Sequence, residues 1–434
     1  MPVPTAEYGS LRAPWRLVAL LCATATAGYL CRVNVSTAGA LLMVEFGLTQ
    51  AQMGRVFSAF LLGYALSMVP AGVIADRWGA RRVLVAATWA WVVLTLAQAL
   101  GGWGPLAAST GTVLASLIVM RFLLGVAAAP TYPAAAAGVS AWVPGSKQGR
   151  ATGIVLTSIG LGSAISPPLL SFAMVSWGWR AALAISAVPA LLTVVVWHLM
   201  PRPADTGPEM SRGPGGRHSA RDAWRLLRST TFGALTASYT LQGYVGYIFV
   251  FWFYLYLVQE RRFDLLQGAW VSSVPWLLCL VSIPAGGWLA DRAMASRLGP
   301  AWGARLVPMI GLSASGVLIS VGARTSSPWV AALALALATA LVLSVEGPFW
   351  STLTRLAGTA SGTAGGVMNL GSNIGGLISP ALTPALAAWL GWEPALHVAA
   401  ALAVAGAILW LGVDVRAGHL AVERRPDAVP PAAS

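Results

Sequence analysis

Charged side chains are what this chain has least of. Only 9% of its 434 residues are Asp, Glu, Lys or Arg, where a soluble domain carries about a quarter. Such scarcity excludes an ordinary water-facing enzyme surface and a disordered, charge-rich chain. Lysine is reduced to Lys147, and acids to 14 residues. The three cysteines, Cys22, Cys31 and Cys279, all lie inside apolar runs, which suggests neither a disulfide framework nor a thiolate metal site. No Walker-type phosphate loop, metal-ligand cluster or Ser/His/Asp arrangement is present. An enzyme, a cofactor and a bound metal are therefore not expected.

What fills the chain instead is apolar: 57% of the residues, with a mean hydropathy of +0.72. Apolar windows long enough to cross a bilayer occur near 17–43, 53–75, 83–101, 112–137, 151–174, 181–200, 232–258, 268–290, 306–322, 329–352, 363–389 and 395–413,. That is twelve spans in an all-α integral membrane protein. The first is too long, and lacks the cleavage site, for a removable signal peptide.

Net charge is +13, yet its distribution argues against nucleic acid. Twenty of the 27 basic residues fall on one face: the arm over 1–16, the 76–82 loop, the 201–230 linker and the tail over 414–434 among them. The opposite face keeps Arg55, Arg180, Arg261, Arg262 and Arg324. The positive-inside bias puts the rich face, and both termini, in the cytoplasm of a cell inner membrane. The basic excess then meets lipid headgroups. The Pro-, Gly- and Arg-rich linker divides a six-span half at 17–200 from another at 231–413, and the tail is expected to be disordered.

Internal repetition supports the division. Pro70-Ala71-Gly72 leading to Ala75-Asp76-Arg77 returns as Pro284-Ala285-Gly286 leading to Ala290-Asp291-Arg292. Ile165-Ser166-Pro167 returns as Ile378-Ser379-Pro380, and Gly178-Trp179 as Gly391-Trp392, both 213 residues later. Two pseudo-symmetric six-helix halves around a midplane site are what such parallel repeats imply.

The stretch Gly72-Val-Ile-Ala-Asp76-Arg77-Trp-Gly79-Ala-Arg81-Arg82 resembles the gating signature of the major facilitator superfamily, and Asp291-Arg292 resembles its weaker second copy. Finer stretches resemble one branch, the anion:cation symporters, which include D-galactonate and hexuronate permeases. These are Tyr29-Leu-Cys31-Arg32-Val-Asn34, Ser58 through Gly63-Tyr64, Arg121 through Gly125 to Tyr132-Pro133, Gly178-Trp179-Arg180, Phe349-Trp350 and Gly362 through Asn369. The resemblance implies that Tyr29, Arg32, Tyr64 and Asn369 touch substrate. It also implies two proton-carrying carboxylates, but those positions hold Cys31 and Ala128 here. A thiol is mostly protonated at neutral pH and replaces neither.

Three charges lie deep within spans: Arg32, Arg121 and Glu346. A mid-span arginine costs about 2.5–3.5 kcal/mol on insertion scales, so it faces a cavity or a partner. Two guanidinium groups against one carboxylate suit a small organic anion, which arginine can grip through two bonds. Arg32 and Arg121 could equally serve as interhelical anchors on backbone carbonyls. Glu346 is the one remaining proton candidate, with an ion pair to Arg355 or a helix terminus as its structural alternative. Ten aromatics crowd the seventh span; Tyr244 and Tyr247, with Gln242, are its site candidates, and much of the rest reads as lipid-facing or packing surface. His397 reads as a packing histidine.

The expectation is a monomeric secondary transporter of a carboxylate such as a sugar acid, working by alternating access, with protons as candidate co-substrate. Exchange or facilitated diffusion without protons stays open, as does a transport-fold anion sensor. Drug/proton antiport would want acids where the arginines are.

Overall fold

The computed structural model describes residues 13–101, 109–200, 226–357 and 361–414. The N-terminal arm up to residue 12, most of the linker (201–225) and the tail from 415 lie outside the described residues. Among those described, every regular element is helical: α1 (Ala13–Phe46), α2 (Gln50–Trp78), α3 (Ala80–Ala99), α4 (Thr110–Ala128), α5 (Thr131–Trp142), α6 (Gly145–Leu199), α7 (Thr230–Phe251), α8 (Phe253–Gln259), α9 (Leu265–Ala295), α10 (Gly299–Arg324), α11 (Pro328–Ser344), α12 (Glu346–Ala357), α13 (Ser361–Leu390) and α14 (Trp392–Leu409).

Local sequence sets the helix ends. Thr49 and Gln52 form a reciprocal capping box at the start of α2, and Ser109 with Thr112 does the same for α4,. Gly79 (φ 80°) ends α2 by returning its N–H to the Ala75 carbonyl, in a conformation that favours glycine. By length and apolarity eight described segments suffice to cross a membrane, and the pair α7 and α8, bent by 50° at Trp252, makes a ninth. At 55 residues α6 is far longer than one crossing needs, and Gly178 (φ 81°) interrupts it,. Counting its two limbs, and adding α2 and α13, gives the expected twelve. Gly391 (φ 89°) interrupts the chain in the same manner before Trp392, so the Gly-Trp echo is also an echo of backbone geometry.

The helices form two compact units. The first takes the chain to Gly213 together with Val250–Leu277 and Pro380–Ala388. In it α1 packs on α6, and α2 on α4. Backbones of α2 and α4 come close enough that a Cβ on Gly63 would strike the Phe122 carbonyl, and one on Gly125 the Phe60 carbonyl. Small residues are how membrane helices achieve such approach. Segments from late in the chain also pack here: Phe251 stacks on Phe57 at 5.3 Å, Trp252 donates to the Pro380 carbonyl at 3.1 Å, and Tyr254 bonds Ser171 at 3.0 Å. Phe249, Phe251, Phe253, Tyr254 and Tyr256 are at most 5% exposed. The lipid-facing reading of that aromatic stretch therefore gives way to packing.

The second unit comprises Pro214–Phe249, Leu278–Ser379 and Trp389–Ser434. One close seam joins α7 to α13, where Gly371 and Gly375 meet Thr236, Thr240 and the backbone of Tyr244, and Gly376 meets the Tyr247 ring.

These seams predict a contrast. Gly125→Ala should lower the unfolding temperature of detergent-solubilised protein, since overpacking of this kind costs about 1–3 kcal/mol. Gly233→Ala, in a helix with nothing within 4 Å of its new methyl, should leave it unchanged or raise it. Thermal unfolding of both variants checks the pair, and equal effects would contradict the packing.

Candidate functional site

In the first unit Arg121 leaves α4 fully buried, at 0% exposure. Its two terminal nitrogens donate to backbone carbonyls of α1, Nη1 to Cys31 at 3.3 Å and Nη2 to Arg32 at 2.6 Å. These carbonyls sit mid-helix, so the guanidinium shares oxygens already bonded along α1. Arg121 is thus an interhelical anchor, the alternative open at the level of sequence. Its Nε has no hydrogen-bond partner.

Arg32 belongs to the turn of α1 that Arg121 grips. It is 7% exposed, and its guanidinium carbon lies 5.2 Å from the Tyr29 ring centre, 5.0 Å from Phe60 and 5.6 Å from Tyr64. Nη1 also donates to the Tyr29 hydroxyl at 3.4 Å. Desolvated cation–π contacts of this kind contribute about 2 kcal/mol each at best. They hold the guanidinium in place. Arg121 is also 5.0 Å from the Phe60 centre, so the two cations share that ring and lie at most about 10 Å apart. At an effective dielectric near 20 they repel by on the order of 2 kcal/mol.

Three of the sequence-derived site residues, Tyr29, Arg32 and Tyr64, therefore form one cluster, with Arg121 directly behind it. Tyr132 joins them from α5, within hydrogen-bond reach of Tyr29. Its place in the cluster was not evident from sequence, although the Tyr132-Pro133 pair was; Pro130 sits at the N-cap of the helix that carries it. Cys31 is 1% exposed, and its thiol reaches the Ser186 carbonyl at 3.6 Å.

The second unit gathers the other candidates. Glu346 opens α12, just past the interruption at Val345, where a helix N-terminus favours negative charge. Tyr239 donates to its Oε2 at 2.8 Å and Gln242 to its Oε1 at 3.0 Å. Gln242 also donates to the Val342 carbonyl at 3.1 Å, and Trp350 approaches the same carboxylate. The Arg355 alternative fails, since Arg355 lies 4.0 Å from Asp291 instead. Tyr244 is buried, Tyr247 half-buried, and Asn369 accepts from Asn373 at 2.8 Å through its carbonyl. Tyr239 is the residue that sequence reading passed over: it was counted in the aromatic stripe, but its partner lies 107 positions away. His397 bonds Ser320 at 3.3 Å and meets Glu393 at 3.6 Å, as a packing histidine does.

Of the gating residues, Arg81 donates through Nη2 to the Trp197 and Met200 carbonyls, closing the end of α6, where a cation opposes the helix dipole. Arg77 and Arg82 are exposed, Gly72 lies within α2, and Arg292 stacks over Trp288 at 5.5 Å. The Asp76 side chain lies outside what is described.

Arg121→Lys retains the charge but not the planar fork. It should destabilise the protein by about 1.5–3 kcal/mol, the range for a lost bond to a charged donor, as read by thermal unfolding. A variant as stable as the parent would remove the anchoring role.

Comparison with known proteins gives these features their context. Residues 20–379 match the family described as Major Facilitator Superfamily. A protein of Cupriavidus necator named a probable sulfoacetate transporter is 30% identical over 79% of this chain and 80% of its own. A D-galactonate transporter of Escherichia coli is 29% identical over 78% and 80%. A Bacillus subtilis protein named a probable galactarate/D-glucarate transporter is 27% identical over 77% and 76%. Among solved structures, a D-xylose–proton symporter superposes with a TM-score of 0.73 at 15% identity over 93% of this chain and 99% of its own. A bacterial Spinster homologue gives 0.71 at 18% over 98% and 100%. At such identities the structural likeness speaks for the fold alone.

Proposed function

This chain belongs to the Major Facilitator Superfamily, and from that membership we propose that it moves a small carboxylate, a sugar acid or close relative, across a cell inner membrane. It is a multi-pass secondary transporter, not an enzyme. The observation that carries the cargo is the Arg32 cluster: a guanidinium held at 5.0–5.6 Å from three aromatic rings, amid the hydroxyls of Tyr29, Tyr64 and Tyr132. Arginine takes the carboxylate, and the tyrosines suit the hydroxyls of a polyol acid. Relatives named for galactonate, galactarate and sulfoacetate support that class. Asn369, Tyr244 and Tyr247 supply further polar contacts from the second half. The protein acts as a monomer with both termini in the cytoplasm, by alternating access of its two six-span halves. The loops of Asp76-Arg77 and Asp291-Arg292 serve as gates.

In this reading Glu346 carries a coupling proton, because it is the one acid deep within a span and only neutral donors, Tyr239 and Gln242, hold it. Exchange or facilitation without protons is the second reading, favoured by Cys31 and Ala128 at the positions where related symporters hold acids.

Purified protein in liposomes should take up sugar acids saturably, and Arg32→Ala should lose at least tenfold in uptake at subsaturating substrate. Saturable binding without flux would point to a sensor instead. An inward proton gradient should drive accumulation by the parent, whereas Glu346→Gln should keep counterflow and lose the gradient response. Equal responses in both proteins remove Glu346 from coupling, and no response in either leaves exchange or facilitation as the account.

A further inference from the structure

The groups that hold Glu346 differ in one respect, which is whether their hydrogen bond can run backwards. Gln242 meets Oε1 at 3.0 Å through its amide nitrogen, and the same nitrogen donates to the Val342 carbonyl at 3.1 Å. A backbone carbonyl only accepts, so turning the Gln242 amide over would set acceptor against acceptor. Its nitrogen therefore stays towards Glu346 whether the acid is charged or neutral. The indole N–H of Trp350, which approaches the same carboxylate, can only donate. The Tyr239 hydroxyl, 2.8 Å from Oε2, is different, since a phenol donates and accepts alike. Its ring packs against Phe349 at 4.8 Å and Trp350 at 6.4 Å, which leaves the hydroxyl to turn about its C–O bond.

In a protonated carboxyl the carbonyl oxygen is the better acceptor, so the oxygen that faces the irreversible Gln242 donor stays the carbonyl. We propose that the coupling proton sits on Oε2 of Glu346, and that Tyr239 is the positioning residue whose hydroxyl reverses from donor to acceptor as the proton arrives. The proposal rests on the proton-coupling reading above. A proton delivered by water bonds to Oε2, and the carboxylate becomes neutral. Tyr239 keeps its own proton throughout, turned aside while Oε2 donates and swung back when the proton leaves. The other ionisable groups on the helices around α12 have their own contacts. Asp291 of α9 faces Arg355 at 4.0 Å, Arg292 lies over Trp288, and Cys279 lies beside Ser282. On α10, Arg305 donates to the Val413 carbonyl and Arg324 is at the far end. Tyr247 lies near Tyr239 on α7, and α11 and α13 carry no ionisable side chain.

Infrared difference spectra of the protein in liposomes, recorded as the pH is lowered, test this. A protonated-carboxyl band that is missing from Glu346→Gln belongs to Glu346. In Gln242→Met, which deletes the donor to Oε1, that band should move to higher wavenumber, as a carbonyl stretch does on losing a hydrogen bond. In Tyr239→Phe, which removes a hydroxyl and nothing else, it should stay at the parental position. The parent should also show a phenolic C–O band moving to lower wavenumber as Glu346 takes its proton, a change absent from Tyr239→Phe and from Glu346→Gln. If Gln242→Met does not fold, Tyr239→Phe and the phenolic band decide alone. A carboxyl band that moves in Tyr239→Phe and not in Gln242→Met would put the proton on Oε1 and overturn the proposal, leaving coupling through Glu346 intact. A phenolic band indifferent to pH would overturn it equally. If no Glu346 band develops over the pH range in which the protein transports, the coupling reading and the proposal fall together.

Discussion

A guanidinium group in the middle of a membrane-spanning helix has to be solvated by something other than water, and in this protein the α1 backbone does it. Arg121 reaches across from α4 to carbonyls one residue apart, at Cys31 and Arg32. Beside it, Gly63 and Gly125 let α2 and α4 meet backbone to backbone. That contact also delivers Phe60 and Tyr64 to the flank of Arg32. Glycine seam, buried anchor and ring-flanked arginine are therefore one mechanical unit, in which each element fixes the next. Loosening the seam would free the aromatic rings before it touched any polar atom.

The second unit meets the opposite charge by the same economy. Glu346 stands where α11 breaks and α12 begins, so free N–H groups of a helix start lie beside it,. Its side-chain partners, Tyr239 and Gln242, are neutral. A carboxylate solvated by neutral donors keeps its charge available to respond to its surroundings. A permanent arginine partner would have fixed it. The aromatic shelf of Phe349 at 4.8 Å and Trp350 at 6.4 Å limits where the Tyr239 ring can go, and with it the geometry around the acid.

Much of this was legible in the sequence, for physical reasons. Twelve spans follow from apolar length, and the halves follow from repeats whose signature includes backbone-determining glycine and proline. Arg32, Arg121 and Glu346 stood out because charge inside a bilayer is costly wherever it occurs. What remained hidden shares one cause: the partner was an atom that every residue has, or a residue far along the chain. Arg121 binds backbone carbonyls, which no side-chain pattern announces. Tyr239 and Tyr132 were invisible as site residues until helix pairing was known. The aromatics of 249–256 looked equally suited to lipid or to packing, because in a membrane the core and the solvent are alike in polarity. Only tertiary structure separates the two.

The left-handed glycines at 178 and 391 also limit what the chain can carry there. Each begins its own span at a matching point, with φ of 81° and 89°, a backbone setting in which any side chain is strained. At both places a side chain would pay the same conformational penalty, so residue choice is narrowed alike at two points 213 positions apart.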